Sequence, residues 1–535
     1  MDKLLEIHKL TSSQSLRRSD LIDRADAQAR NLKIDVVRNH SFELVAATIN
    51  SFLAVAGLKA DFSYSDYDDA FANADFAADA DAHIIWVDLE RYDEKGRKHI
   101  IARLNELSQN AVKPVIVAPV GANFEAEDPL VKADFSSIMD HLGGKFFDER
   151  LASFTGTRCS PAACMEMSRL LGLCTIPAVI LPGLKAIVVD LDNTLYKGVL
   201  GEDGAAGVIL EPGHIALQQK LTELARQGFF VCIASKNEAE DVEKLFKVRG
   251  DFPLRPEHVT KFMVNWESKS SNIQSLEKFL NIHHSAMLFI DDNMGELFEV
   301  SNKLPDIKML WASPDSASNA RSVGVYPGLL KSKVSAEDVA RSKDVQANEE
   351  RRRLREQMSP EAYLRSLEIK ISFQLNHPDQ ITRVSELSRK TNQFIFNYKR
   401  YSLAEVKAAA GNPSSCVMTV SMSDKLIDSG IIGCLVGHKH GDTLNVEDMF
   451  VSCRALGRGL DEVVVLGAIK CAADQLKCSK VQVAFQKGER NGPAADFVEN
   501  NLKAQTAAAS ELQYTFPQGI VEISMPELDV KEQSY

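Results

Sequence analysis

The sequence predicts an α/β chain of three domains, and three observations carry that prediction. At 535 residues the chain is too long for one core, since single domains usually hold about 100–200 residues. Short β-rich runs alternate with amphipathic stretches over most of its length. Several apolar runs stop abruptly at polar clusters, as strands do where an open parallel sheet presents its carboxyl edge.

Taken in order, "LKIDVVRN", "KADFSYS", "AHIIWVDL" and "KPVIVAPVG" are strand candidates, and "FELVAATINSFLAVAG" between them has a helical pattern. This predicts a first parallel-sheet domain over 1–182. A second α/β domain, 183–335, begins at "LKAIVVDLDNT", continues through "GFFVCIASKN" and "HSAMLFIDDN", and ends near "IKMLWASP". A charged helical linker, 336–366, leads to a last domain, 367–535. There "LEIKISFQL", "CVMTVSMSD", "GIIGCLVGHK", "TLNVEDMFVS" and "SKVQVAFQKG" predict a mixed sheet with helices on its faces.

Composition excludes several classes. Hydrophobic residues make up 45% and charged residues 25%, which is ordinary for a globular chain, and no run of eighteen apolar residues offers a membrane span. "MDKLLEIHKLTSSQSLRRSD" lacks the apolar region and cleavage site of a signal peptide, so a cytoplasmic protein with no membrane partner is expected. The net charge of −12 argues against nucleic acid as a partner. Arg351, Arg352, Arg353 and Arg355 alternate with Glu349, Glu350 and Glu356, the pattern of a solvated helix face. Nine cysteines, an odd count without a CxxC pair, fit free thiols in a reducing compartment.

The chemistry concentrates at the strand ends of the second domain. They deliver Asp190 and Asp192, then Ser235 and Asn237, then Asp291 with Asp292, and Lys269 lies between the last two groups. Carboxylates from two strand ends suit a hard cation such as Mg²⁺, which takes few carboxylates and keeps water and phosphate oxygens. A lysine and a hydroxyl complete a phosphate clamp. One aspartate can attack phosphorus while the one two residues on trades protons with the leaving group. The bland alternative is a pair of carboxylates capping a strand-to-loop turn. The gaps from Thr194 to Ser235 and from Ser235 to Lys269 are too short for a large cap domain.

"DLDNTL", "ASKN", "NWESKSSNI" and "FIDDN" resemble the four motifs of the haloacid dehalogenase (HAD) superfamily, and "DLDNTLYKGVLGEDG" is similar to its FkbH-like subfamily, where tryptophan usually stands at the position of Tyr196. The resemblance implies a HAD Rossmann-like core without a large cap. It makes Asp190 the nucleophile and a Mg²⁺ ligand, and Asp192 the general acid/base that lends its backbone carbonyl to the metal. Thr194, Ser235, Asn237 and Lys269 would hold the phosphoryl group, and Asp291 would complete the metal site. The chain departs from the usual "DDNPxER" with "DDNMGELFEV", which affects the loop after the acids.

In the last domain, "SCRALGRGLDEVVVLGAI" carries Arg454, Gly457 and Gly459 in an RxxGxG pattern before a helix, where glycines let backbone N–H groups face an anion. A glycine-rich strand-to-helix turn is the bland alternative. With "ERNGPAADFVENN" and "KTNQFIFNYKRY", this region resembles the GNAT acyltransferase fold, although the family usually has Asn where this chain has Ile395. The first domain resembles an SGNH hydrolase; Ser41 follows its first strand, but no histidine lies near Asp148, so a structural or docking role is expected. FkbH-like proteins are associated with loading a glyceryl unit from 1,3-bisphosphoglycerate onto the phosphopantetheine thiol of an acyl carrier protein. The resemblance therefore implies a Mg²⁺-dependent enzyme acting on a phosphorylated small acid and transferring its acyl group to a carrier. Cys453 is the candidate for a transient thioester, or equally a small buried strand-end residue; Cys232 reads as core. A plain phosphatase of a sugar or glycerate phosphate, and a carrier-binding module without turnover, are the alternatives.

Overall fold

The structure, a computed structural model, describes the chain apart from residues 1, 14–15, 22–28, 68–75, 122–129, 332–346, 348–349, 352, 453–454, 457–459, 489–490, 503–505, 509–521 and 525–535. It is an α/β protein with three sheets, two parallel and one mixed. Two compact units are present: Met1–Glu277 with His283–Val339, and Lys278–Ile282 with Ala340–Tyr535.

The first sheet contains β1 (Arg30–Arg38), β2 (Leu58–Tyr64), β3 (Ala82–Asp88), β4 (Val115–Val120) and β5 (Val131–Lys132), all parallel in the order β2-β1-β3-β4-β5. Every residue of β3 and β4 is buried, as expected of central strands covered on both faces. The run Pro161–Ile180 is long and apolar enough to cross a membrane, but Ala163, Met167, Leu171 and Ile176 pack it into this sheet's core.

The second sheet contains β6 (Ala186–Val189), β7 (Phe230–Ser235), β8 (Lys261–Val264), β9 (Met287–Asp291) and β10 (Lys308–Trp311), again all parallel, in the order β10-β9-β6-β7-β8. The chain leaves β6 toward β7 and later returns to β9 on the other side, so the strand order reverses between β6 and β9. That is where an open parallel sheet leaves a crevice at its carboxyl edge. Between β6 and β7 the chain holds only the helices Leu200–Gly207 and Pro212–Arg226, and between β7 and Lys269 only the helix Ala239–Val248, a short turn and β8. The strand β8, in "TKFMV", did not stand out in the sequence because all four of its residues are only half-buried at the sheet edge.

The helix Asp2–Ser12 packs on this second sheet although it precedes the first. Ile7 joins the second sheet's core, Thr11 Oγ1 donates to Ser322 Oγ (2.8 Å), and His8 lies edge-on to Trp311 with ring centroids 5.3 Å apart.

The third sheet runs β16 (Thr506–Ala508), β15 (Lys480–Val483), β14 (Thr443–Val451), β13 (Asp428–His440), β12 (Ser415–Ser423), β11 (Lys370–Leu375) and β17 (Glu522–Ser524). Strands β11 to β14 are antiparallel, and β15 is parallel to β14 over residues 443–446. Beyond that point residues 394–396 lie beside β14, with Phe396 N donating to Met449 O (3.0 Å) and Val451 N to Phe394 O (2.9 Å). Part of the expected linker lies outside the described residues; the helix Pro360–Leu367 closes it.

Gly213 marks a close approach of the helix Pro212–Arg226 to the helix Ser316–Val325. A Cβ there would lie 2.3 Å from Ala317 N and 2.3 Å from the Ser316 carbonyl carbon, and backbone cannot swing aside. Gly213→Ala is therefore expected to lose about 1–3 kcal/mol or more in urea unfolding, the range for overpacking. Gly201→Ala, whose Cβ meets nothing within 4 Å, is the control and should leave the midpoint nearly unchanged.

Candidate active site

Asp190 directly follows β6 and Asp291 ends β9, so neighbouring parallel strands bring the two carboxylates to one edge. Lys269 opens the helix Lys269–Leu280 and reaches between them. Its Nζ lies 2.5 Å from Asp190 Oδ1 and 3.0 Å from Asp291 Oδ2, and donates to Ala234 O at 2.6 Å. Lys269 is 2% exposed and Asp291 1%. Burial works against the Lys269 charge, but Asp190 and then Asp291 more than offset it, so its pKa lies above the ordinary lysine value.

The acids carry the opposite strain. Burial, and then the charge of Asp190, push the Asp291 carboxyl well above the usual carboxylate range, with Lys269 pulling back only in part. The same two causes raise Asp292 to about 6. Asp291 Oδ1 accepts from Asn293 N (2.9 Å), whereas buried Oδ2 has, among the described residues, only the ion pair to Lys269, outside hydrogen-bond geometry. Oxygens of Asp190, Asp291 and Asp292 lie within 4.8 Å of one another. Three crowded, hard oxygen donors whose charges repel one another form a group that could hold a metal ion, and the donor set fits a cation of the Mg²⁺ type.

Asp192 is held apart from this group. Its Oδ1 accepts from Tyr196 OH (2.6 Å) and Leu200 N (3.0 Å), and its Oδ2 from Asn237 Nδ2 (3.0 Å). Asn237 Nδ2 also donates to Ser235 Oγ at 3.1 Å, linking the end of β7 to the turn after β6. That turn is shaped by Asn193, which adopts a left-handed φ of 53° and receives Gly198 N on its side chain (3.0 Å). Thr194 is fully buried, and its N–H bonds Leu191 O (3.2 Å); its hydroxyl has no hydrogen-bond partner among the described residues.

Asp190, Asp192, Ser235, Asn237, Lys269 and Asp291 thus meet at one sheet edge, joined by the contacts just described. Two participants escaped the sequence reading of roles. Asp292 shares the acid cluster, and the Asp-Asp doublet was the available signal. Tyr196 anchors Asp192 from four residues away, at the position where the resembled subfamily has another N–H or O–H donor, tryptophan. Cys453, Arg454, Gly457 and Gly459 lie outside the described residues. Cys232 is fully buried on β7, where desolvation pushes its thiol up to about 12. In the first sheet, Ser41 Oγ donates to Glu43 Oε2 (2.5 Å) and Asp148 pairs with Arg150 (3.0 Å).

No family model matches the chain, and no curated protein matches it significantly. Among solved structures, it is similar to the N-terminal part of the protein BF1531 from Bacteroides fragilis, which contains a phosphatase domain and is complexed with Mg, at 18% identity and a TM-score of 0.45. That match covers 61% of this chain and 99% of the other. A dinucleotide-forming acetyl-coenzyme A synthetase 1 from Ca. Korarchaeum cryptofilum, complexed with phosphate and ADP, matches at 12% identity and a TM-score of 0.21, over 60% of this chain and 67% of the other. Likeness at these levels assigns neither fold nor activity.

Removing the ammonium while leaving the acids should be severe. Lys269→Met is expected to cost about 3–5 kcal/mol in chemical unfolding at neutral pH, the penalty for breaking a buried ion pair. Adding Asp291→Asn to it should recover part of that loss.

Because the Asp292 pKa is raised on folding, its ionisation disfavours the metal-free fold as pH rises from about 4 to about 6 and beyond. Asp292→Asn should therefore raise the melting temperature of chelator-treated protein at pH 8 and leave it nearly unchanged at pH 4. Added Mg²⁺ should raise the wild-type melting temperature at pH 8 more than that of the variant.

Proposed function

We propose that the chain is a Mg²⁺-dependent HAD-type phosphatase acting on a phosphorylated small acid. The observation that supports this reading is the placement of Lys269 Nζ between Asp190 and Asp291, with Asp292 beside them, at the strand-order reversal of a parallel sheet. Asp190, Asp291 and Asp292 would hold Mg²⁺, which would supply positive charge against the phosphoryl group.

In this reading an Asp190 oxygen attacks phosphorus, a P–O bond to the carboxylate forms, and the bond to the leaving oxygen breaks. Lys269 neutralises charge on the phosphoryl oxygens, and Ser235 and Asn237 border it. Asp192 gives a proton to a leaving alkoxide, then takes one from the water that releases phosphate. Three donors hold Asp192 in place for both proton transfers.

An acyl phosphate differs in one respect: its leaving group is a carboxylate and needs no proton. The finer proposal is that the substrate is such an acyl phosphate, 1,3-bisphosphoglycerate being the case the resemblance implies, and that its glyceryl unit passes to the thiol of an acyl carrier protein. For that transfer the carrier thiol attacks the acyl carbon, its proton passes to the departing phosphate, and phosphate leaves with the electron pair of the C–O bond; if Cys453 attacks first in the same way, the carrier thiol then displaces it by thioester exchange, returning the proton to Cys453. Each described cysteine is buried, so none presents a thiol to solvent.

Asp192→Asn distinguishes the two steps. With a phosphate ester such as 3-phosphoglycerate, phosphate release should fall at least a hundredfold, within the span of general acid–base catalysis of about 10²–10⁴. With acetyl phosphate and Mg²⁺ the variant should still form a phosphoaspartyl enzyme, visible by intact mass, and hydrolyse it slowly. Asp190→Asn should show neither. Failure of wild type to release phosphate from either class in Mg²⁺ would refute the phosphatase reading. Carrier loading is read separately, as a mass gain on phosphopantetheinylated carrier incubated with enzyme, Mg²⁺ and 1,3-bisphosphoglycerate; phosphate release without that gain leaves the phosphatase alone.

A further inference from the structure

Lys269 and Asp291 are carried by two elements whose far ends also meet, and there a second cluster lies. The helix Lys269–Leu280 runs from Lys269 to Glu277 in its last turns. The strand β9 ends at Asp291 and is preceded by the turn His284–Ala286, which follows His283. At this amino edge of the sheet Glu277 receives both histidines, one on each oxygen. Its Oε2 lies 3.2 Å from His284 Nδ1, and its Oε1 lies 3.9 Å from His283 Nε2. The two imidazole rings are 4.0 Å apart between centroids, tilted by 33°.

We propose that Glu277, His283 and His284 form a second metal site, for a borderline cation of the Zn²⁺ class. Two imidazoles and one carboxylate are the donors such an ion prefers, in contrast to the all-carboxylate set at the other strand end. One atom from each residue falls within 4.8 Å of the others. With metal–ligand bonds of about 2.0–2.2 Å, a tetrahedral site separates neighbouring donor atoms by about 3.3 Å. His284 Nδ1 stands 3.2 Å from Glu277 Oε2, which meets this; His283 Nε2 lies 3.9 Å from the other oxygen, Oε1, so a small turn of the carboxylate and of the half-exposed ring brings it in.

The surroundings favour ligation over a simple ion pair. Both histidines lie within ion-pair distance of Glu277, and as imidazolium rings 4.0 Å apart they would repel each other across one carboxylate; neutral rings on a cation remove that conflict. Behind His283, Nδ1 lies 2.9 Å from Ser285 Oγ. Ser285 N also donates to Nδ1 (3.2 Å), so Nδ1 is the acceptor in this turn. Ligation through Nε2 would place the proton on Nδ1, where Ser285 Oγ can accept it. His284 N also donates to Glu277 Oε1 (3.3 Å), fixing the carboxylate against the turn. Three protein donors leave a fourth position for water. The site is a clasp between the helix that carries Lys269 and the strand that carries Asp291, and it is independent of the proposed phosphatase activity.

The test uses the full-length chain, freed of metal with chelator and desalted, with the carboxylate site saturated by Mg²⁺. Titration with Zn²⁺ should show one ion bound per chain at micromolar concentration, and Co²⁺ should give the visible bands of a low-coordinate site with nitrogen ligands. His283→Ala and Glu277→Gln should each weaken binding about tenfold or more, and the His283→Ala/His284→Ala pair should abolish it. Asp292→Asn should leave it intact. His283 is half-exposed, so its variant tests the proposal even where Glu277→Gln disturbs the helix. Equal Zn²⁺ affinity in wild type and the double-histidine variant, loss of Zn²⁺ with Asp292→Asn alone, or no Zn²⁺ bound by the wild type would each overturn the proposal.

Discussion

A lysine ammonium that is 2% exposed has to be compensated on every side, and this requirement organises the second sheet. Lys269 also opens a helix, where the backbone dipole disfavours a cation. What holds it is Asp190 after β6, the Ala234 carbonyl on β7 and Asp291 at the end of β9. Three adjacent strands must therefore end at matching heights, and the parallel register that pairs Val189 with both Ile233 and Ile290 does this. A slip of one residue would turn the acids to the other face and leave the ammonium buried without a partner.

The acids in turn tolerate the crowding only because the ammonium is present. One cation faces three carboxylates, and Asp291 and Asp292 are raised accordingly. A folded core that stores unlike charges in this unequal ratio differs from an ordinary buried salt bridge, which is balanced one to one. The imbalance is what makes the site a receiver of further positive charge rather than a structural lock.

Much of this edge was legible in the sequence because a parallel strand writes itself as an apolar run with a polar stop. "AIVVDLD", "VCIASKN" and "LFIDDN" each place their polar residues at the strand end, so Asp190, Ser235 and Asp291 could be assigned to one edge without coordinates. The edge strand β8 was not legible, because half-buried residues blur the alternation. The docking of the helix Asp2–Ser12 was hidden for another reason. Its amphipathic pattern states that a face is buried but not against which sheet, and the partner, the helix Ser316–Val325, lies more than 300 residues away. Tyr196 entered the sequence reading only as the place of the subfamily's tryptophan; it is fully buried, yet its hydroxyl is the polar end that matters.

That hydroxyl separates the two aspartates chemically. Asp190 and Asp192 are two residues apart, but one faces an ammonium and two acids while the other faces three neutral donors. Burial and the Asp192 charge push the Tyr196 phenol far above its usual range, so Tyr196 keeps its proton and can only donate it in a hydrogen bond. Asp192 is thereby pinned by three donors and held away from the acid cluster. Replacing Tyr196 by Phe removes one donor and frees the carboxylate to rotate, whereas Trp keeps an N–H at a comparable reach. If the separation of roles depends on this bond, Tyr196→Phe should slow release of phosphate from the phosphoaspartyl enzyme more than its formation from acetyl phosphate, and Tyr196→Trp should restore the ratio. Equal slowing of both steps would mean that the tyrosine serves the turn and not the aspartate.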